Sequence, residues 1–107
     1  MDVPRGIDAF TLTERIYQAK RREVVAEGEL DRTAIPRLRE ILEATAGSDL
    51  ARVTLDLERC EFIDAAVVAT IAQAQKLLAN NSQELVVSGA HGQVRRLLRM
   101  TANLDRD

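Results

Sequence analysis

The residues best equipped for chemistry in this sequence are Cys60, Asp64 and His91. Each follows a run that reads as a strand. In an open α/β sheet they would gather past the carboxyl ends of the strands, where such sheets form their binding sites. A cysteine paired with a histidine and oriented by a carboxylate is a nucleophile arrangement. A lone cysteine, however, is commonly a small buried apolar residue, and a histidine in a glycine-flanked turn is commonly just solvated. One Cys and one His also supply too few good ligands for zinc. Gly89-Ala90-His91-Gly92 before a helix could hold an anion on free backbone N–H groups, but no Lys and Ser/Thr follow as in a P-loop. These residues predict no catalytic centre, no metal and no cofactor.

Asp64 has a second kind of chemistry open to it. It stands before Ala65-Ala66-Val67-Val68, and an acidic residue before a helix-forming run is a good N-cap. Its carboxylate accepts from the open N–H groups of the first turn and contributes about 1 kcal/mol.

The elements that must position Asp64 are legible on both sides. Before it, Val53, Leu55 and Leu57 alternate with polar residues over residues 52–57, a period of two that predicts a buried central strand; a short loop then leads to the helix. After it, Val67, Ile71, Ala74 and Leu78 form a helical core stripe over residues 64–79. The other side of that helix shows Ala65, Ala69, Ala72, Gln73 and Lys76 and is small and smooth rather than charged. Upstream, residues 1–9 with Pro4 and Gly6 read as a loose arm. Residues 10–18 and 23–30 read as a strand pair around Lys20-Arg21-Arg22, which is expected to be a solvated turn. Gly28-Glu29-Leu30-Asp31 closes the second strand, and Asp31 or Thr33 caps a helix that tolerates Pro36 in its first turn. Ile35, Leu38, Ile41 and Leu42 give that helix one apolar stripe, and Gly47 ends it. Asn80-Asn81 ends the next helix. Leu85-Val86-Val87 is another strand. A third helix turns Val94, Leu97, Leu98 and Thr101 inward and Arg95, Arg96 and Arg99 outward.

The order is strand, strand, helix, strand, helix, strand, helix. A hairpin followed by right-handed parallel crossovers predicts an α/β fold: one mixed sheet of about four strands and three main helices, in a single domain over residues 10–107. The chain length of 107 residues suits one core. Fifteen basic and 17 acidic side chains give a net charge of −2, which offers no footprint for nucleic acid. Only Phe10, Tyr17 and Phe62 are aromatic, so there is no stacking platform for single strands either. No apolar run approaches the roughly 18 residues of a membrane span, and the first residues lack the apolar core of a secretion signal. The single cysteine excludes an internal disulfide and fits a reducing cytosol. A cytoplasmic location without membrane insertion is expected.

Asp56-Leu57, Phe62-Ile63-Asp64 and, upstream, Gly28-Glu29-Leu30-Asp31 resemble the hallmark segments of the STAS family, the sulphate-transporter and anti-sigma-factor-antagonist domains. The resemblance spans residues 23–107 and implies the same fold. It also implies a partner: an anti-sigma factor or related kinase-fold protein that phosphorylates a Ser or Thr just after the motif Asp. Such a phosphate adds about −1.5 to −2 charges and releases the docked protein. This chain departs there, with Ala65, Ala66 and Val67 in place of hydroxyl residues and a glycine. The nearest hydroxyl, on Thr70, lies well into the helix. The expectation is therefore a non-catalytic interaction module that binds constitutively, or under a control other than phosphate there, through Gly28, Glu29, Asp31, Asp64, Ala65, Ala66, Ala69, Ala72 and Gln73. A plainer reading is that the alanines are only good helix formers. Relatives also serve as non-switching scaffolds of signalling complexes and as cytosolic accessory subunits of lipid ABC transporters, and a homodimer is left open.

Overall fold

Alternating side chains build one sheet, and among the described residues every helix lies on the same side of it. The structure, a computed structural model, describes residues 10–17 and 20–101. The strands are β1 (Phe10–Tyr17), β2 (Arg21–Leu30), β3 (Arg52–Ile63) and β4 (Glu84–Ser88). The helices are α1 (Ile35–Glu43), α2 (Ala65–Asn80) and α3 (Gly92–Thr101), with a 3₁₀ turn at Arg32–Ala34. The sheet order is β1-β2-β3-β4. β1 runs antiparallel to β2, and the other neighbours are parallel. Both crossovers step the same way along the sheet, so right-handedness places α1 and α2 over one face.

That face is the core. Val24 and Ala26 of β2, Val53, Leu55 and Leu57 of β3, and Leu85 and Val87 of β4 meet Leu38, Ile41 and Leu42 of α1, Val67, Ile71 and Leu78 of α2, and Val94 and Leu98 of α3. Each large side chain buried there contributes about 1.5–3 kcal/mol. On the opposite face, Thr13 is exposed and Val25, Thr54, Asp56 and Val86 are half-buried, with no helix over them among the described residues.

Two expectations need correction. The short loop expected after Leu57 does not exist: β3 continues to Ile63. The register with β2 shifts twice, pairing Glu27 with Arg59 and Glu29 with Phe62. Each shift leaves an extra residue on β3, so its buried positions change spacing, from Val53, Leu55, Leu57 to Cys60 and Ile63. Nor is the basic turn wholly solvated. Only 13 % of the Arg22 side chain is exposed. Its Nη1 donates to the Ile41 carbonyl and to Thr45 Oγ1, at the end of α1, where unpartnered helix carbonyls favour a cation. Lys20 does form the turn, at φ +61.

α1 ends at Glu43, and successive turns carry the chain to Gly47, whose φ of +81 completes the reversal. The expected arm at residues 1–9 and the chain beyond Thr101 lie outside the described residues.

Candidate functional site

The two segments singled out by sequence lie side by side. Register brings Gly28 against Cys60 and Glu29 against Phe62. The Asp64 N–H then donates to the Leu30 carbonyl at 3.2 Å, which sets Asp31 next to the start of α2. Gly28 has φ +92 inside a strand, a conformation that glycine adopts without steric cost. Asp31 accepts from the backbone N–H of Thr33 at 2.9 Å and from its hydroxyl. It thereby caps the 3₁₀ turn, while α1 itself starts without a side-chain cap. The Thr33 hydroxyl, then its N–H, hold the Asp31 carboxyl below the usual carboxylate range.

Asp64 is the N-cap of α2. Its Oδ1 accepts from Ala66 N at 2.9 Å and Val67 N at 3.3 Å, from an extended backbone at φ −104 and ψ 167. Beyond it, Ala65, Ala69 and Gln73 are exposed and Ala66 is half-buried. Ala72 departs from the expected smooth side, because it is half-buried and packs against the core. The exposed ridge instead runs Ala65, Ala69, Gln73, Leu77 at steps of four. Leu77 is 37 % exposed and Phe62, beside the cap, 39 %. Sequence reasoning did not count these two as site residues. Their signal was available, Phe62 within the quoted motif and Leu77 one turn past Gln73. Thr70 is buried, and its hydroxyl donates to the Ala66 carbonyl at 3.0 Å.

The suspected nucleophile pair is spoken for. The Cys60 thiol is buried and donates to the Phe62 carbonyl at 3.3 Å. Burial pushes that thiol up, away from the thiolate a nucleophile needs. His91 Nε2 lies 2.8 Å from the Glu58 carbonyl. Gly89 has φ +77, and a Cβ there would meet Glu58 N at 2.9 Å and Asp56 Oδ1 at 3.0 Å. Close packing against β3 therefore accounts for that glycine without a phosphate. Gln93 was missed altogether: its side chain bonds both the N–H and the carbonyl of Ile63. No spacing in the sequence signals that contact. Among the described residues, no group of three or more His, Cys, Asp or Glu could hold a metal ion, and no helix is long and apolar enough to cross a membrane.

A one-sided α/β sheet whose second helix opens on an aspartate cap beside a ridge of small residues defines the class of fold. The chain belongs to the STAS domain family: the family model described as "Mlab, STAS domain" matches residues 17–106. The anti-sigma-B factor antagonist of Staphylococcus aureus is similar, 28 % identical over 92 residues that cover 86 % of this chain and 85 % of that protein. Among solved structures, the anti-sigma factor antagonist SpoIIAA in its unphosphorylated form shares the fold with a TM-score of 0.78 at 15 % identity, over 87 % of this chain and 82 % of its own. An anti-sigma factor antagonist from Mycobacterium paratuberculosis gives 0.76 at 20 % identity, over 89 % and 80 %.

Proposed function

We propose that this protein is a non-catalytic interaction module of the anti-sigma-factor-antagonist type. It binds a kinase-fold anti-sigma factor through the Gly28–Asp31 turn, Asp64 and the exposed ridge of α2, in the cytoplasm, with residues 10–107 as the working domain. The observation that carries this reading is the pairing of a capped α2 N-terminus with exposed Ala65 and Ala69. Small side chains let another backbone approach closely, and the half-exposed Phe62 and Leu77 supply apolar anchors of the kind that dominate interface energetics.

The second element of the proposal is the absence of a phosphate switch at the usual place. Residues 62–68 carry no hydroxyl, and the Thr70 hydroxyl is turned into the helix. Binding is then constitutive. Calorimetric titration against the kinase-fold anti-sigma factor of the same organism, with and without prior incubation with ATP, tests both parts. The expected result is one affinity, unchanged by ATP. Absence of binding overturns the partner, and a phosphate on Thr70 that abolishes binding overturns the constitutive mode.

Membership of the STAS family carries a second reading with it: a cytosolic accessory subunit of a lipid ABC transporter, using the same ridge. A non-switching scaffold role is the remaining variant. Co-purification with a membrane-bound nucleotide-hydrolysing subunit favours the accessory role, a large homo-oligomer in size exclusion favours the scaffold, and a monomer or dimer that captures the anti-sigma factor favours the antagonist.

A further inference from the structure

β4 stops alongside Asp56, yet β3 runs on to Ile63. The edge of β3 that faces β4 therefore outlasts its neighbouring strand. The turn from β4 into α3 occupies that edge with single groups. Gly89 packs against Glu58 N, and His91 Nε2 meets the Glu58 carbonyl. Gln93 then does at Ile63 what a strand residue would do. Its Oε1 accepts from Ile63 N–H at 3.1 Å, and its Nε2 donates to the Ile63 carbonyl at 2.9 Å. A carboxamide is suited to this because it is neutral and carries both a donor and an acceptor.

The consequence lies one bond further along. The Ile63 carbonyl and the Asp64 N–H belong to one planar peptide unit. Gln93 holds its oxygen from the α3 side, and the Leu30 carbonyl holds its N–H from the β2 side. A peptide plane gripped at both ends cannot rotate, so the direction in which Asp64 enters α2 is fixed. Asp64 must keep that direction for its Oδ1 to reach Ala66 N and Val67 N.

We propose that Gln93 is the positioning residue of the docking site: a surrogate strand, supplied by α3, that sets the Ile63–Asp64 peptide and through it the cap of α2. The inference rests on the reading of the Asp64 face as the docking site, but its test needs no partner. Amide hydrogen exchange is followed by NMR on the full chain, its Gln93→Leu variant and its Gln93→Glu variant. Gln93→Leu keeps an apolar stem and removes both hydrogen bonds. Its expected effect is roughly tenfold faster exchange at Ile63 and also at Ala66 and Val67, which Gln93 does not touch, with Val24 and Ala26 in β2 unchanged. Gln93→Glu keeps the acceptor and loses the donor, so Ile63 N–H stays protected while Ala66 and Val67 still exchange faster. Wild-type rates at Ala66 and Val67 in both variants overturn the proposal and reduce Gln93 to a local plug. If Gln93→Leu loses protection everywhere, Gln93→Glu decides. Failure to bind any anti-sigma factor would remove the docking reading and leave these rates as they are.

Discussion

A single carboxylate oxygen does the organising at the start of α2, and the cost of losing it can be stated. Asp64→Ala leaves Ala66 N without its side-chain acceptor, and Val67 N with only the Asp64 backbone carbonyl, and should lower stability by about 1 kcal/mol, while Asp64→Asn keeps an acceptor and should cost a few tenths; urea midpoints compare the three. Asp31 makes a separate prediction about pH. Thr33→Val removes the hydroxyl, the largest cause of its depressed pKa, while the Thr33 backbone N–H remains. The Asp31 carboxyl should then titrate closer to the usual carboxylate range in an NMR pH series. A depressed carboxylate contributes stability above its unfolded pKa and loses it as pH falls through the folded value, so the variant should lack part of a contribution that the wild type loses only in acid. At this scale Asp64 was legible because a capping residue type preceded a helix-forming run. Gln93 was not, because its partner is backbone 30 positions earlier and only the folded sheet brings the two together.

Whole elements were read from their periodicity and misread where periodicity breaks. The 3.6-residue stripes of α1 and α2 placed Leu38, Ile41, Leu42, Val67, Ile71 and Leu78 in the core, and they are there. β3 was cut short because alternation fails after Leu57: the two register shifts against β2 put Cys60 and Ile63 three positions apart. Charged Glu58, Arg59 and Glu61, standing where the bulged strand meets solvent, looked like a loop. The turn from β4 into α3 holds a testable contrast. At Gly89 a side chain would combine φ +77 with a 2.9 Å approach to Glu58 N, whereas at Gly92 φ is +57 and nothing lies within 4 Å. Gly89→Ala should therefore cost about 3 kcal/mol and Gly92→Ala about 1 kcal/mol, the conformational penalty alone. Thermal melts of the pair measure the difference, and equal losses would mean that packing against β3 plays no part.

Across the whole molecule the two layers have different work. Right-handed crossovers that step one way put α1 and α2 over one face of the sheet, and α3 packs on that face through Val94 and Leu98, so the described residues have a helical side and a sheet side that no helix covers. The capped α2 start and its ridge of Ala65, Ala69, Gln73 and Leu77 lie on the helical side; exposed Thr13 lies on the other, beside half-buried Val25. Element order alone made the mixed sheet and its three helices legible; the single covered face follows from the strand order β1-β2-β3-β4. Which residues of α2 remain bare was only partly so, since Ala72 shares the ridge's small size but packs against the core. If docking uses the helical side, a bulky charge there must block it while the same change on the sheet leaves it intact. Ala69→Arg and Thr13→Arg are both surface substitutions, each expected to shift stability by no more than about 0.5 kcal/mol. Against the kinase-fold anti-sigma factor, Ala69→Arg should weaken binding by about a hundredfold through loss of close approach and burial of an unpaired cation. Thr13→Arg should leave it unchanged. The opposite pattern in a calorimetric titration would move the interface to the open sheet, because each variant alters one layer and keeps the other as its control.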